Sequence, residues 1–262
     1  MKKCVFLLLL FISLAAHAQL TAPTSRILVP AAGSVAGLNG TFFRSDMAIF
    51  NYRQTAQNVA LQWLPQGTSG VGESATIITI QPLSGIISQD FVGDVMHRSG
   101  LGAIAISAVT ADLQPDANGA LFVTARIWSP QANNPSGTVS QTFPAVDQSR
   151  INSQNVAILG QRIGDPYRTN VGIVNLSLSA QTFEVLQNTD DPTFAPVLQT
   201  VTIPARAMQQ VALQNFRSAA LQVRVRATTA VDPALWVAYG SSIDNVTGDS
   251  WSSLGVQTFV LP

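Results

Sequence analysis

Four oxygen-bearing side chains fall within six residues near the end of the chain: Asp244, Asn245, Thr247 and Asp249, with Gly248 among them. Hard cations are held by carboxylate, amide and hydroxyl oxygens on a sharply turning loop, so this set is a candidate Ca2+ site. Its spacing matches no EF-hand loop. Asp-Asn followed by Thr-Gly-Asp is also what a tight hairpin asks for, because Asp and Asn bond back to their own backbone and Gly accepts a left-handed turn. Calcium is the only cofactor the sequence brings forward.

Acid–base catalysis needs a group that titrates near working pH. His97 is the only histidine beyond residue 17, and it sits in the turn-rich stretch Asp94-Val95-Met96-His97-Arg98-Ser99-Gly100. A Ser-His-Asp hydrolase would have to be built on it, yet the chain has no Gly-x-Ser-x-Gly elbow. An ordinary surface-loop histidine is the competing reading. Glycosidases oppose two carboxylates across a cleft. Glu73 lies in a Gly/Ser-rich loop and Glu184 within a strand pattern, at positions that do not correspond, so neither forms a motif. No catalytic residue is assigned and no enzyme is expected.

Tryptophans stack on sugar rings when exposed and pack in cores when not. Trp63 alternates with Val59 and Leu61, a core pattern, and Trp236 aligns with Phe122 in the internal repeat described below. Trp128 and Trp251 fall near strand ends and are the candidate ligand-binding residues. Asn39, Asn175 and Asn245 open Asn-x-Ser/Thr triplets, a pattern short enough to arise by chance.

Composition narrows the field. Fourteen basic residues balance fourteen acidic ones and only 11% of the chain is charged. That leaves no basic stripe to neutralise a phosphate backbone, so no nucleic-acid partner is expected. Lys2 and Lys3 precede an apolar run from Val5 to Leu14, followed by Ala16-His17-Ala18. This is the layout of a cleavable signal peptide covering 1–18, its apolar core too short to span a bilayer. Cys4, the single cysteine, leaves with it, so the mature chain is expected to lack disulfides and Cys-ligated metals. No later segment is long and apolar enough to cross a membrane. The expected location is secreted or periplasmic, and the expected partner an extracellular or periplasmic protein or polysaccharide.

The elements that position these residues read as strands throughout. Leu221-Gln222-Val223-Arg224-Val225-Arg226-Ala227 alternates apolar and polar with period two. Short Val/Ile/Thr-rich runs bounded by Gly, Pro, Asn or Ser place strands near 24–33, 41–51, 57–64, 75–81, 85–91, 101–109, 119–128 and 137–144. No later stretch sustains a helical apolar stripe.

The chain also repeats itself. Gly40-Thr41-Phe42-Phe43-Arg44-Ser45-Asp46-Met47-Ala48-Ile49-Phe50-Asn51 lies over Gly164-Asp165-Pro166-Tyr167-Arg168-Thr169-Asn170-Val171-Gly172-Ile173-Val174-Asn175 without a gap. Gln89-Asp90-Phe91 matches Gln214-Asn215-Phe216, Ala120-Leu121-Phe122-Val123 matches Ala234-Leu235-Trp236-Val237, and Gln141-Thr142-Phe143 matches Gln257-Thr258-Phe259. Blocks recurring in one order mark a duplicated unit. We expect a domain over 19–148 and a second over 149–262, with the boundary in the polar stretch 147–153. Many short strands per unit give a sandwich: all-β, as two tandem immunoglobulin-like or jelly-roll-like domains. Within the repeated strand, Phe43, Ser45, Met47 and Ile49 share the expected core face with Tyr167, Thr169, Val171 and Ile173. Arg44 and Asp46 fall on the other face, placed for sheet-surface pairing.

The blocks Phe43-Arg44-Ser45-Asp46-Met47, continuing to Asn51, and Ser242-Ile243-Asp244-Asn245-Val246-Thr247-Gly248-Asp249 resemble signatures of duplicated β-sandwich modules in exported bacterial proteins. There an FRTDLxLxN-like strand opens each unit and a VDNxTGD-like loop closes it. The resemblance covers essentially the whole chain after residue 18 and implies architecture without an activity. The first unit departs from it, with Asn133-Asn134-Pro135-Ser136-Gly137 where the acidic loop belongs. Together these readings favour a non-enzymatic exported structural or interaction protein of the adhesion or binding kind. A carbohydrate-binding module is the alternative and a hydrolase a remote one.

Overall fold

A computed structural model of the protein describes residues 22–37, 40–131, 134–151, 155–187, 196–214, 216–217, 220–225 and 235–257. The signal-peptide reading of 1–18, Asn39, and the repeat positions Ala234, Asn215, Thr258 and Phe259 lie outside the described residues.

The fold is an all-β sandwich. In the first half the strands are β1 (Arg26–Ala36), β2 (Phe42–Asn51), β3 (Gln57–Pro65), β4 (Thr76–Ile80), β5 (Ser84–Ser88), β6 (Gly100–Val109), β7 (Leu121–Gln131), β8 (Asn134–Thr142) and β9 (Val146–Asp147). In the second they are β10 (Asn155–Ile158), β11 (Tyr167–Asn175), β12 (Gln181–Gln187), β13 (Val197–Ile203), β14 (Ala207–Leu213), β15 (Leu221–Val225), β16 (Trp236–Asp244), β17 (Ser250–Leu254) and β18 (Val256–Gln257). The strands expected from periodicity are present within a few residues of their expected ends. Two single helical turns, Phe91–Val95 and Gln148–Arg150, were not legible as helix because one turn carries no stripe.

Strand order is the same in both halves. One layer runs β4-β3-β6-β1 with β9 added to β1, and its counterpart runs β13-β12-β15-β10-β18. The facing layer is β5-β2-β7-β8 in one half and β14-β11-β16-β17 in the other. The halves differ at one strand. β1 pairs with β6 along most of its length and then carries on to pair with β2 through Ser34↔Arg44, Val35↔Phe43 and Ala36↔Phe42, joining the two layers. β10 stops at Ile158 and makes no such crossing.

Alternation decides which side chains enter the core. Ser45, Met47 and Ile49 of β2 are buried with Val59, Leu61 and Trp63 of β3 and with Leu121, Val123 and Ala125 of β7. Val171, Ile173, Phe183, Val185, Trp236 and Ala238 do the same in the second half. Each fully buried aliphatic side chain contributes about 1.5–3 kcal/mol relative to exposure. A third cluster lies between the halves: Leu28, Leu64, Ala103 and Phe143 from the first pack on Val174, Leu176, Met208 and Tyr239 from the second.

The repeated Asn is a loop clamp. Asn51 donates through Nδ2 to the carbonyls of Thr55, Ile80 and Gln81 at 2.9, 3.2 and 3.1 Å, and its Oδ1 accepts from the Arg53 N–H at 2.9 Å. Asn175 donates to Ser179, Ile203 and Pro204 at 2.8, 3.2 and 2.9 Å and accepts from the Ser177 N–H at 3.0 Å. Both are fully buried, and each spends its amide on three loop carbonyls, of which those of Ile80 and Ile203 make the buried contacts, while the Ser179 carbonyl also accepts from Ser177 Oγ at 2.7 Å. The hairpins they hold carry non-glycine residues in the left-handed region at matching places, Leu83 at φ 48 and Arg206 at φ 51.

Two repeat assignments need correction. Asn51 pairs with Leu121 and Asn175 with Trp236, so the partner of Trp236 is Leu121 and not Phe122. Phe122 faces the opposite side, edge-on to Tyr52. The sequence match of two aromatics slips the register by one, which reverses the face. Similarly, Gln141 lies on β8 beside β7, whereas Gln257 lies on β18 beside β10. By pairing, β18 corresponds to β9.

Candidate functional site

Along β16 the core-facing residues run Trp236, Ala238, Gly240, Ser242 and Asp244, alternate positions on one strand face. The first two are buried apolar groups, Ser242 is 1% exposed, and Asp244 is half-buried at the rim. The sandwich interior therefore turns polar toward one end and opens there. In register with that end are Thr169 and Tyr167 of β11, opposite Ser242 and Asp244, and Trp251 of β17, opposite Ser242.

The segment 159–164 stands over this end. Gln161 is buried at 2% exposure, and its amide occupies the space that a Cβ at Gly240 would fill. Its Nε2 donates to the Leu159 carbonyl at 3.2 Å and to Ser253 Oγ at 2.9 Å, and its Oε1 accepts from Ser242 Oγ at 3.0 Å. Ser242 Oγ also accepts from the Arg162 N–H at 3.0 Å, and Thr169 Oγ1 donates to the Arg162 carbonyl at 2.9 Å. The two hydroxyls lie 2.8 Å apart. Two hydroxyl protons thus serve three short contacts, and both faces of the Arg162 peptide are fixed by buried groups.

What stands on this floor is a cleft of about 180 Å3 lined by Arg162, Tyr167, Ser242, Asp244, Asp249 and Trp251. Trp251 is 49% exposed, with the Arg162 guanidinium 5.8 Å from its ring centroid. Tyr167 corrects an expectation. It shares the core face of its strand, but it lies beyond the cover of the opposing layer and is 37% exposed. In the first half the corresponding end is covered by β1, where the Gly33 N–H donates to Ser45 Oγ at 2.6 Å and that hydroxyl donates to the Gly33 carbonyl at 3.0 Å.

The four candidate calcium ligands close a hairpin. Asp244 Oδ1 accepts from the N–H groups of Val246 and Thr247 at 2.7 and 3.3 Å, an Asx turn. The Val246 N–H foremost, then the Thr247 hydroxyl and N–H, hold the Asp244 carboxyl below the usual carboxylate range. Thr247 Oγ1 accepts from the Asp249 N–H, Asp249 Oδ1 from the Ser250 N–H, and Asn245 Oδ1 from Arg168 at 2.9 Å. Gly248 turns at φ 78. Among the described residues no group of three His, Cys, Asp or Glu side chains converges.

The remaining candidates are not brought together. Trp128 is half-buried, donates through Nε1 to the Gln89 carbonyl at 2.8 Å, and has Arg44 over its ring at 5.6 Å. Arg44 pairs with Asp90, which caps the helical turn after β5, and Asp46 pairs across strands with Arg126 of β7. His97 is exposed, with no hydrogen bond or ion pair among the described residues. Glu73 is paired with Arg98 at 2.9 Å and Glu184 with Arg224 at 2.8 Å. Trp63 and Trp236 are core, and Asn175, buried, is no glycosylation acceptor. Sequence reasoning missed Arg162 and Gln161, whose only signal is the flanking pair Gly160 and Gly164.

Comparison of the chain with known protein families, curated proteins and solved structures finds no match. Among the described residues no helix is long and apolar enough to cross a membrane.

Proposed function

We propose that the chain is an exported, non-enzymatic binding protein, with a signal peptide over 1–18 and tandem sandwich domains over 19–148 and 149–262. Its second domain binds carbohydrate. The observation that supports this reading is the meeting of Trp251, Tyr167, Arg162, Asp244 and Asp249 around one cleft. An exposed indole offers an apolar face to the C–H side of a sugar ring. Carboxylates accept from hydroxyl pairs, and a guanidinium donates to ring and hydroxyl oxygens. The buried network below the cleft sets these groups in place before any ligand arrives.

Asp244 is poorly suited to serve as the general acid of a glycosidase. A proton-donating acid needs a raised pKa, and the Asp244 carboxyl is shifted the other way. Retention in the periplasm or release to the medium is the destination we assign, and cell fractionation tests it.

The deciding experiment is a glycan array read alongside intrinsic tryptophan fluorescence. Binding accompanied by quenching, and lost in Trp251→Ala but kept in Trp128→Ala, is the expected result. Absence of binding across diverse polysaccharides removes the carbohydrate reading.

A further inference from the structure

The cleft is small for a binding site. At about 180 Å3 it falls below the roughly 300–1,000 Å3 of pockets that enclose drug-sized ligands. Its floor cannot recede, because Ser242, Thr169 and Gln161 are each at most 2% exposed and bonded to one another. Its width is set by the sheet. Tyr167 and Trp251 project from β11 and β17, the two strands flanking β16, which lie about 10 Å apart at the strand spacing of a sheet.

The charges at the rim are unequal. Asp244 and Asp249 both edge the cleft, and Arg162 is the one cation among its lining residues. Each carboxylate uses Oδ1 to close its own turn, the Thr247 hydroxyl also bonds the Asp244 carboxyl, and among the described residues no hydrogen bond is made to Asp249 Oδ2. Unused lone pairs on both carboxylates remain for hydroxyl groups, and a ligand carboxylate would enter beside two like charges.

Resting on the carbohydrate reading above, we infer that the cleft takes a single neutral pyranose ring and excludes uronic acids. One ring stacks on the open half of Trp251. Its hydroxyls donate to Asp244 and Asp249, and Arg162 donates to an oxygen on the same ring. Neighbouring sugars of a longer glycan stay in solvent and add little.

Calorimetry on the full chain tests this with D-glucose, D-galactose, D-mannose and N-acetyl-D-glucosamine, then with their linear oligosaccharides of increasing length, D-glucuronate and D-galacturonate. A neutral monosaccharide should bind with a Kd that stays within about threefold as the chain lengthens, and the matching uronate should bind at least about tenfold more weakly. Trp251→Ala should abolish binding, and Trp251→Phe, which keeps an aromatic face, should retain most of it with an unchanged melting midpoint. Affinity that climbs with each added sugar, or a uronate bound as tightly as its neutral parent, overturns the inference and leaves the carbohydrate reading standing. Silence from every sugar overturns both.

Discussion

Gln141 of the first half donates through Nε2 to the backbone carbonyl of Trp251 at 2.7 Å, while its Oε1 accepts from Ser241 Oγ at 2.8 Å. One side chain on β8 thus holds the strand that carries the cleft tryptophan. Ser250 Oγ donates to the Ser140 carbonyl at 2.6 Å, and Ser252 Oγ donates to the Thr142 carbonyl. Hydroxyls of β17 thereby satisfy carbonyls on the open edge of β8, the edge that would otherwise invite another strand. Gln141→Ala should cost about 1 kcal/mol of stability in urea unfolding. It should also increase acrylamide quenching of Trp251 fluorescence, and an unchanged quenching constant would show that β17 stands without this support.

Asn51 and Asn175 should be equally intolerant of change. Asn→Asp at either site keeps the shape but replaces the donating amide, setting a carboxylate oxygen against the buried carbonyl of Ile80 or Ile203 and the part-buried carbonyls beside it. The expected loss is about 3 kcal/mol or more at each. Denaturant melts of the two single variants should agree closely, and a neutral result at one would show that water replaces the amide there.

Gly172 lies directly opposite Tyr239, and a Cβ placed on it would run into the phenol ring. Tyr239 is fully buried between the halves and packs edge-on to Phe143 at 5.1 Å. Gly172→Ala should destabilise by about 1–3 kcal/mol through overpacking. Combining it with Tyr239→Ala should recover part of that penalty, a coupling read by a double-mutant cycle.

The Asp244 carboxyl stays ionised through mild acid. Its folded pKa is depressed by the Val246 N–H and by the hydroxyl and N–H of Thr247, whereas in the unfolded chain it titrates near 3.9. Its contribution is therefore fully present above about pH 4 and is lost as pH falls through the lower folded value. Trp251 emission should stay constant from neutrality to about pH 4 and change only below it. An Asp244→Asn variant, which keeps an acceptor but not the charge, should lose that acid transition.

The 244–249 hairpin is closed by its own backbone: the Asp244 N–H donates to the Asp249 carbonyl at 2.8 Å, and the Gly248 N–H to the Asp244 carbonyl at 2.9 Å. EDTA should leave the thermal midpoint unchanged. A rise in the midpoint on adding CaCl2 would assign the carboxylates of the hairpin to a cation.

The strands themselves follow from local pattern. Period-two alternation placed Ser45, Met47 and Ile49 on one side of β2 and named Trp63 as core, because a strand sends alternate side chains to opposite faces whatever lies beyond it. The repeat also flagged Asn51 and Asn175 as the same residue in two places, though not as clamps, since two of the three carbonyls that each holds lie 28 to 30 residues further on. Tertiary structure alone decided the cleft. Tyr167 and Ile173 belong to one strand face, and whether each is core or rim depends on how far the opposing layer extends. That layer is complete where β1 crosses to β2, and it ends at Ile158 in the second half. No local pattern encodes the difference, because burial belongs to the partner strand and not to the residue.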